Sequence, residues 1–240
     1  MVVLLCRRQV ACMLFAALIF SGAGVLLARF ARPALPTGTQ AQLPDRTVFV
    51  IDAGHGGEDG GAVSADGTAE SGINLSVALR LRDLLRLCGA ETAMTRTEDV
   101  SIHSDTAETL HEKKASDLKN RADIVNGAES AVLVSIHQNC LPGSPGVHGA
   151  QVFYNAIPGA ENLAESIQEV LNRQVNRSNE KNSRKIPSAI YLMNKIHAPG
   201  VLIECGFLSN AGETEKLQTP SYQIQLAAAI ASGLLQNAAD

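Results

Sequence analysis

From Thr47 onward, short apolar runs alternate with longer stretches whose apolar residues recur at helical spacing. "TVFVIDA" (47–53) predicts a buried strand, and "INLSVALRLRDLLRLCGA" (73–90), closed by Gly89, predicts an amphipathic helix. "ETAMTR" (91–96) predicts the next strand, "SDLKNRADIVNGAES" (116–130) a helix and "AVLVSIH" (131–137) a second buried strand. "GAQVFYN" (149–155) and "GVLIECGF" (200–207) read as strands, while "AENLAESIQEVLNRQV" (160–175) and "SYQIQLAAAIASGLLQNA" (221–238) read as helices. This rhythm predicts an α/β fold: a single domain with a mostly parallel or mixed central sheet flanked by helices on both faces. No internal repeat and no second domain interrupts it. The segment 98–115 is polar and lacks periodicity, which predicts a surface excursion, open to a lid or partner role.

The pattern changes upstream. After Arg7 and Arg8, "QVACMLFAALIFSGAGVLLA" (9–28) carries no charge over about the length of a bilayer span. Residues 1–30 are therefore expected to be an N-terminal signal anchor, with Ser21, Ala23 and Ala28 leaving cleavage as a signal peptide open. Residues 31–44, "ARPALPTGTQAQLP", have the composition of a flexible linker. The folded domain is expected over 45–240, exported and either anchored to the outer face of the cytoplasmic membrane or released into the wall space.

Composition narrows the partners. A chain of 240 residues with 45% hydrophobic content can bury one sizeable core. A formal charge of −4, 4% aromatics and no Trp give no basic stripe to follow a phosphate backbone, so nucleic acid is excluded as a partner class. Of five cysteines, Cys6 and Cys12 belong to the anchor, leaving Cys88, Cys140 and Cys205 with no CxxC spacing. They read as small buried hydrophobes, with a Cys140–Cys205 bridge left open by export.

The polar residues acquire meaning on this frame. His55 follows the first strand, His137 ends "AVLVSIH" and Glu204 ends "VLIE", all where strands of an α/β sheet stop and sites are built. Glu70 precedes the helix at Ile73, close enough in sequence to reach the same crevice or to favour the helix's positive end. A lone histidine after a strand is more often structural than a ligand, but Glu204 sits among apolar residues and is costly to bury unless paired, ligating or protonated. Two histidines with a carboxylate make a three-ligand set for a catalytic zinc, and a second carboxylate supplies a general base for amide hydrolysis. No HExxH helix is present, so the ligands must gather from distant segments. Asp52 is a candidate to orient a ligating histidine, Asn74 and Asn139 to support the site, and Arg96 and Arg121 to orient carboxylates. Glu58 and Asp59 read as loop residues, and His103, His111, His148 and His197 as surface or loop histidines.

The motifs "IDAGHGGEDGGA", "ESGINL", "MTR", "LKNRADIVN", "VSIHQN", "GAQVFY" and "IECGFLSN", in this order from Thr47 to the C-terminus, resemble the zinc-dependent N-acetylmuramoyl-L-alanine amidases of type 3. The resemblance implies one Zn2+ per chain held by His55, Glu70 and His137, with Glu204 as the catalytic glutamate. It implies cleavage of the amide between N-acetylmuramic acid and L-alanine in peptidoglycan, in spore cortex maturation or in cell-wall turnover. An N-terminal anchor joined to one catalytic domain is similar to the germination-specific members of spore formers, which act with a deacetylase in making muramic δ-lactam of the cortex. That similarity leaves room for an activator protein as a further partner. Cys140 after "SIHQN" and Cys205 after Glu204 depart from the usual pattern without changing a ligand. A zinc carboxypeptidase-like peptidase and a non-catalytic wall-binding protein are the competing functions.

Overall fold

The computed structural model describes residues 47–237; the expected anchor (1–30), the linker (31–44), Cys6 and Cys12 lie outside the described residues. Among the described residues no helix is long and apolar enough to cross a membrane. In chain order the elements are β1 (Val48–Ala53), α1 (Glu70–Leu87), β2 (Glu91–Met94), α2 (Leu110–Gly127), β3 (Ala131–Asn139) and β4 (Gln151–Tyr154). There follow α3 (Ala160–Leu171), a π-helical turn (Asn172–Asn176), β5 (Arg184–Lys185), α4 (Tyr191–Lys195), β6 (Gly200–Phe207), α5 (Ala211–Leu217) and α6 (Pro220–Asn237). The strands form one sheet in the order β2-β1-β3-β6-β4-β5. β2, β1, β3 and β6 run parallel, whereas β4 is antiparallel to β6 and β5 runs with β4. The expected α/β fold with a mixed sheet covered on both faces is what forms.

The period of two along each strand divides the side chains between two unequal cores. Phe49, Ile51, Val134, Ile136, Val201 and Ile203 enter the larger one, where they meet Ile73, Val77, Leu81 and Leu85 of α1, Leu163 and Ile167 of α3, and Leu226 and Ile230 of α6. Val50, Leu133 and Leu202 enter the smaller one, against Ala122 and Val125 of α2 and Leu192 and Met193 of α4. On this thinner side the sheet changes character along the strands. Val50 and Leu133 sit in one row; Asp52, Ser135 and Leu202 are paired in the next; His137 and Glu204 are paired in the one after. The sheet is thus apolar where α2 and α4 cover it and ionisable at its carboxyl edge.

Local chemistry explains where elements depart from expectation. α1 begins at Glu70 rather than Ile73, so Glu70 is its first residue and not part of a preceding loop. α2 begins at Leu110, six residues before the expected start, because Thr109 and Glu112 form a capping box that satisfies the first N–H groups. The excursion 98–115 therefore ends as helix, and its first half is pinned down: Asp117 accepts from Ser101 Oγ (3.0 Å) and Ile102 N (2.7 Å), and Asn120 donates to Ile102 O (2.6 Å). β3 runs on to Asn139 and Glu204 lies inside β6, so His137 and Glu204 are strand residues near the edge rather than residues beyond it. Cys88, Cys140 and Cys205 are all free; Cys205 is buried in the larger core, whereas Cys88 is exposed just after α1.

α3 and α6 approach closely at one glycine. A Cβ on Gly233 would lie 2.5 Å from the Ile167 Cα and 2.9 Å from its nitrogen, both backbone atoms that cannot swing aside. Gly233→Ala is expected to destabilise the domain by about 1–3 kcal/mol through overpacking. Urea denaturation checks it; unchanged or raised stability, as the ~1 kcal/mol helix preference for alanine alone would give, contradicts this packing.

Candidate metal centre at the sheet edge

β1 ends at Ala53, and the chain turns sharply through "GHGGEDGG" before α1 returns it to the sheet. The turn depends on backbone approaching side chains closely. A Cβ on Gly54 would lie 2.2 Å from the His137 ring, and one on Gly61, at φ +70°, would lie 2.5 Å from a Glu70 oxygen and 2.7 Å from the His55 ring. His55 itself is held at φ +60°, a conformation that costs a non-glycine residue of order 1 kcal/mol or more and persists only where surroundings impose it.

Two buried arginines impose it. Arg121 of α2 donates to His55 O (2.7 Å), Ala53 O (2.8 Å), Asp52 Oδ1 (2.6 Å) and Asp117 Oδ2 (2.6 Å). Arg96 donates to the carbonyls of Ala53 (2.8 Å), Gly54 (3.0 Å), Ser71 (2.9 Å) and Glu98 (2.8 Å). Arg121 thus orients carboxylates as its type suggested, whereas Arg96 chiefly binds backbone. Asp52 accepts from Ser135 Oγ (2.6 Å) and Thr95 Oγ1 (2.8 Å) besides Arg121, so this carboxylate anchors the arginine and is spent before it can reach a histidine. The carboxylate at His55 Nδ1 is Asp59, whose Oδ2 lies 3.0 Å away. The sequence offered Asp59 only as a loop residue; the signal available was its i+4 spacing from His55 across a glycine turn.

At the start of α1, Glu70 bridges the two histidines. Its Oε1 lies 2.9 Å from His137 Nδ1 and accepts from Gln138 N (3.0 Å) and Asn74 Nδ2 (3.0 Å). Its Oε2 accepts from Ala62 N (2.9 Å) and lies 3.3 Å from His55 Nε2. One nitrogen from each histidine and one Glu70 oxygen all fall within 4.8 Å of one another, and the rings sit 5.1 Å apart, edge to face. Among the described residues this is the cluster that could hold a metal ion. Asn74 lies behind Glu70, donating also to Gly54 O (3.1 Å), while Asn139 lines the cleft at the end of β3.

Charge tells the same story. Burial alone would raise the Glu70 carboxyl, but the hydrogen bond and charge of His137, the charge of His55 and the Gln138 N–H hold it down to about 2. Glu204 is the opposite case: burial raises it, His137 only partly opposes, and the neighbouring Glu70 raises it further, to about 7. Its Oε2 is buried with no hydrogen-bond partner, an arrangement that asks for a proton or a cation. His137 is raised, since Glu70 and Glu204 outweigh its own burial. These groups open into a cleft of ≈ 490 Å³, lined by the ionisable edge and by Ile190, Tyr191, Leu192 and Met193. His111, His148 and His197 are exposed and line no part of this cleft, and His103 contacts the Ser104 carbonyl (3.0 Å) and Glu58 (3.9 Å) instead.

Burial likewise raises Asp52, but Arg121 and Ser135 outweigh it, so its pKa lies below the ordinary carboxylate value. The stability this gives is complete above the unfolded value of ~3.9 and is lost as pH falls through the folded value. Arg121→Met is expected to cost about 3–5 kcal/mol at neutral pH by leaving Asp52 buried and unpaired. The deficit against wild type should shrink on acidification, as Asp52 becomes neutral; urea denaturation across pH checks it, and a constant deficit contradicts the assignment.

The germination-specific N-acetylmuramoyl-L-alanine amidase of Bacillus subtilis is 36% identical over 189 residues, spanning 79% of this chain and 78% of that protein. The CwlD amidase of Clostridioides difficile, solved in complex with the GerS lipoprotein, matches with a TM-score of 0.76 at 36% identity, covering 80% of this chain and 98% of that one. The N-acetylmuramoyl-L-alanine amidase AmiC2 of Nostoc punctiforme matches with a TM-score of 0.67 at 28% identity, covering 79% and 96%. The family pattern described as N-acetylmuramoyl-L-alanine amidase matches residues 49–236, from β1 into the last helix. On that span, the chain belongs to the N-acetylmuramoyl-L-alanine amidase family.

Proposed function

We propose that this chain is a zinc-dependent amidase that cleaves the bond between the lactyl group of N-acetylmuramic acid and the L-alanine of the peptide stem, in the peptidoglycan of the spore cortex. The observation that carries the reading is the convergence of His55, Glu70 and His137 within 4.8 Å, beside an unpartnered buried oxygen of Glu204. Two nitrogens and a carboxylate oxygen are the donor set of a catalytic zinc that keeps one position open. When bound, zinc supplies a Lewis acid to the scissile carbonyl and to water.

The remaining chemistry belongs to the chain. Arg121 and Arg96 hold the backbone around His55, and Asn74 and the Gln138 N–H hold Glu70, so the donors are placed before any ligand arrives. Glu204, buried beside the donor set with one oxygen unpartnered, takes the proton of the attacking water and returns it to the departing nitrogen of L-alanine. Ile190, Tyr191, Leu192 and Met193 give the same cleft an apolar lining for the substrate.

The cortex assignment is supported by the likeness to the Bacillus subtilis germination-specific amidase and to the CwlD amidase. In this reading the product feeds a deacetylase and ends as muramic δ-lactam, and a lipoprotein is the activating partner. Residues 1–30 anchor the exported catalytic domain, 45–240, to the outer face of the membrane through the linker 31–44.

Glu204→Gln is expected to retain stoichiometric zinc while losing about 10²–10⁴-fold in peptide-stem release from purified peptidoglycan. Full activity in that variant overturns the mechanism; release of single C-terminal amino acids by the wild type favours a peptidase instead. Chelation should abolish activity and zinc restore it, and activity without stoichiometric zinc overturns the metal reading. Muropeptide mass spectrometry of a strain lacking this gene should show no muramic δ-lactam; a normal content overturns the cortex assignment.

A further inference from the structure

We propose that Asp59 is the positioning residue that fixes which His55 nitrogen faces the metal, with the α2 residue Lys114 holding that carboxylate in place. The inference rests on the zinc reading above and adds to it a residue that no ligand set includes.

Asp59 is fixed from several directions. Its backbone pairs with Gly56, N–H to carbonyl in both senses (2.8 and 3.3 Å), which closes the turn carrying His55. Oδ1 accepts from Gly61 N (3.2 Å), and Oδ2 faces both His55 Nδ1 (3.0 Å) and Lys114 Nζ (3.2 Å). The two oxygens are therefore not interchangeable: one is bound to the turn and the other is left for the ring.

The ring lies between two carboxylates, and their demands differ. Glu70 Oε2 lies farther from His55, at 3.3 Å, and already accepts the Ala62 N–H. Asp59 Oδ2 is nearer and has only Lys114 besides. The His55 proton therefore resides on Nδ1, leaving the lone pair of Nε2 aimed at Glu70 and the metal position. A carboxylate behind a ligating imidazole raises the basicity of the metal-facing nitrogen and holds the ring plane. Here it also offsets the strained backbone at His55 by locking the side chain that the strain presents.

Asparagine and alanine at this position separate positioning from mere support of the turn. In Asp59→Asn, the amide oxygen keeps the Gly61 N–H, which turns the amide NH2 toward His55 Nδ1. The proton then moves to Nε2, the nitrogen the metal needs. Asp59→Ala loses the turn contact but leaves the ring free to choose its tautomer. A purely structural role predicts that alanine is the worse substitution; the positioning role predicts that asparagine is.

Zinc affinity, measured by competition with a chromophoric chelator, is expected to fall at least about tenfold in Asp59→Asn and by less in Asp59→Ala. Long-range 1H–15N NMR of the metal-free protein, well above the ordinary histidine pKa, should show Nδ1–H at His55 in the wild type and Nε2–H in Asp59→Asn. Wild-type affinity in both variants, the reverse order of loss, or an unchanged tautomer in Asp59→Asn overturns the proposal. Failure of the wild type itself to bind zinc would overturn the underlying reading, a result distinct from equal binding by wild type and variants.

Discussion

Arg121 is a fully buried guanidinium, and a buried cation is tolerated only if its donors are matched. Its nitrogens meet that demand by reaching two carboxylates and two carbonyls, and those four acceptors belong to α2 and to the exit of β1. The helix is thereby bolted to the strand at the point where the chain must leave the sheet. The left-handed backbone of His55, the glycine turn after it and the separation of the two rings all follow from that clamp. Desolvation makes the clamp cooperative, since loss of any one partner leaves a charge or dipole with no water to replace it.

The clamp also segregates charge. Asp52 and Asp117 are consumed by the arginine, whereas Glu70, Asp59 and Glu204 gather about two histidines. Burial, helped by the neighbouring Glu70, pushes Glu204 toward its protonated form, whereas the His137 hydrogen bond, the two histidine charges and the Gln138 N–H outweigh burial at Glu70 and keep it ionised. One family of carboxylates stabilises the scaffold and the other surrounds the two histidines of the candidate metal cluster. Neighbouring residues of the same chemical type, Asp52 and Asp59, fall on opposite sides of that division because one lies within the sheet and the other on the turn.

The α/β alternation and the convergence of His55, Glu70, His137 and Glu204 were legible because strand periodicity and motif order are properties of contiguous residues. The start of α2 was legible in principle through Thr109 and Glu112, but a polar helix with only four buried residues gives a weak apolar period. The short elements β5, α4 and α5 have too few residues to show any. Partner choice among acids was not legible at all. Asp52 looked suited to a histidine until the fold brought Arg121 to it across 69 positions, a distance over which a sequence carries no geometry. Cys88 followed the apolar helix α1 and so looked buried, yet it falls just past the helix end, where the backbone turns outward into solvent.

The unequal thickness of the two cores has an evolutionary reading. Most of the burial that keeps this domain folded lies with α1, α3 and α6, on the side of the sheet away from the cleft. Part of the cleft lining comes from a helix of five residues with a short approach, contributing two side chains to the lesser core. The exposed Ile190 and Tyr191 can therefore be substituted at small thermodynamic risk, while His55, Glu70 and His137 are fixed by a turn, a helix start and a strand of the sheet. On this plan part of the cleft lining is separable from the layers that hold the fold.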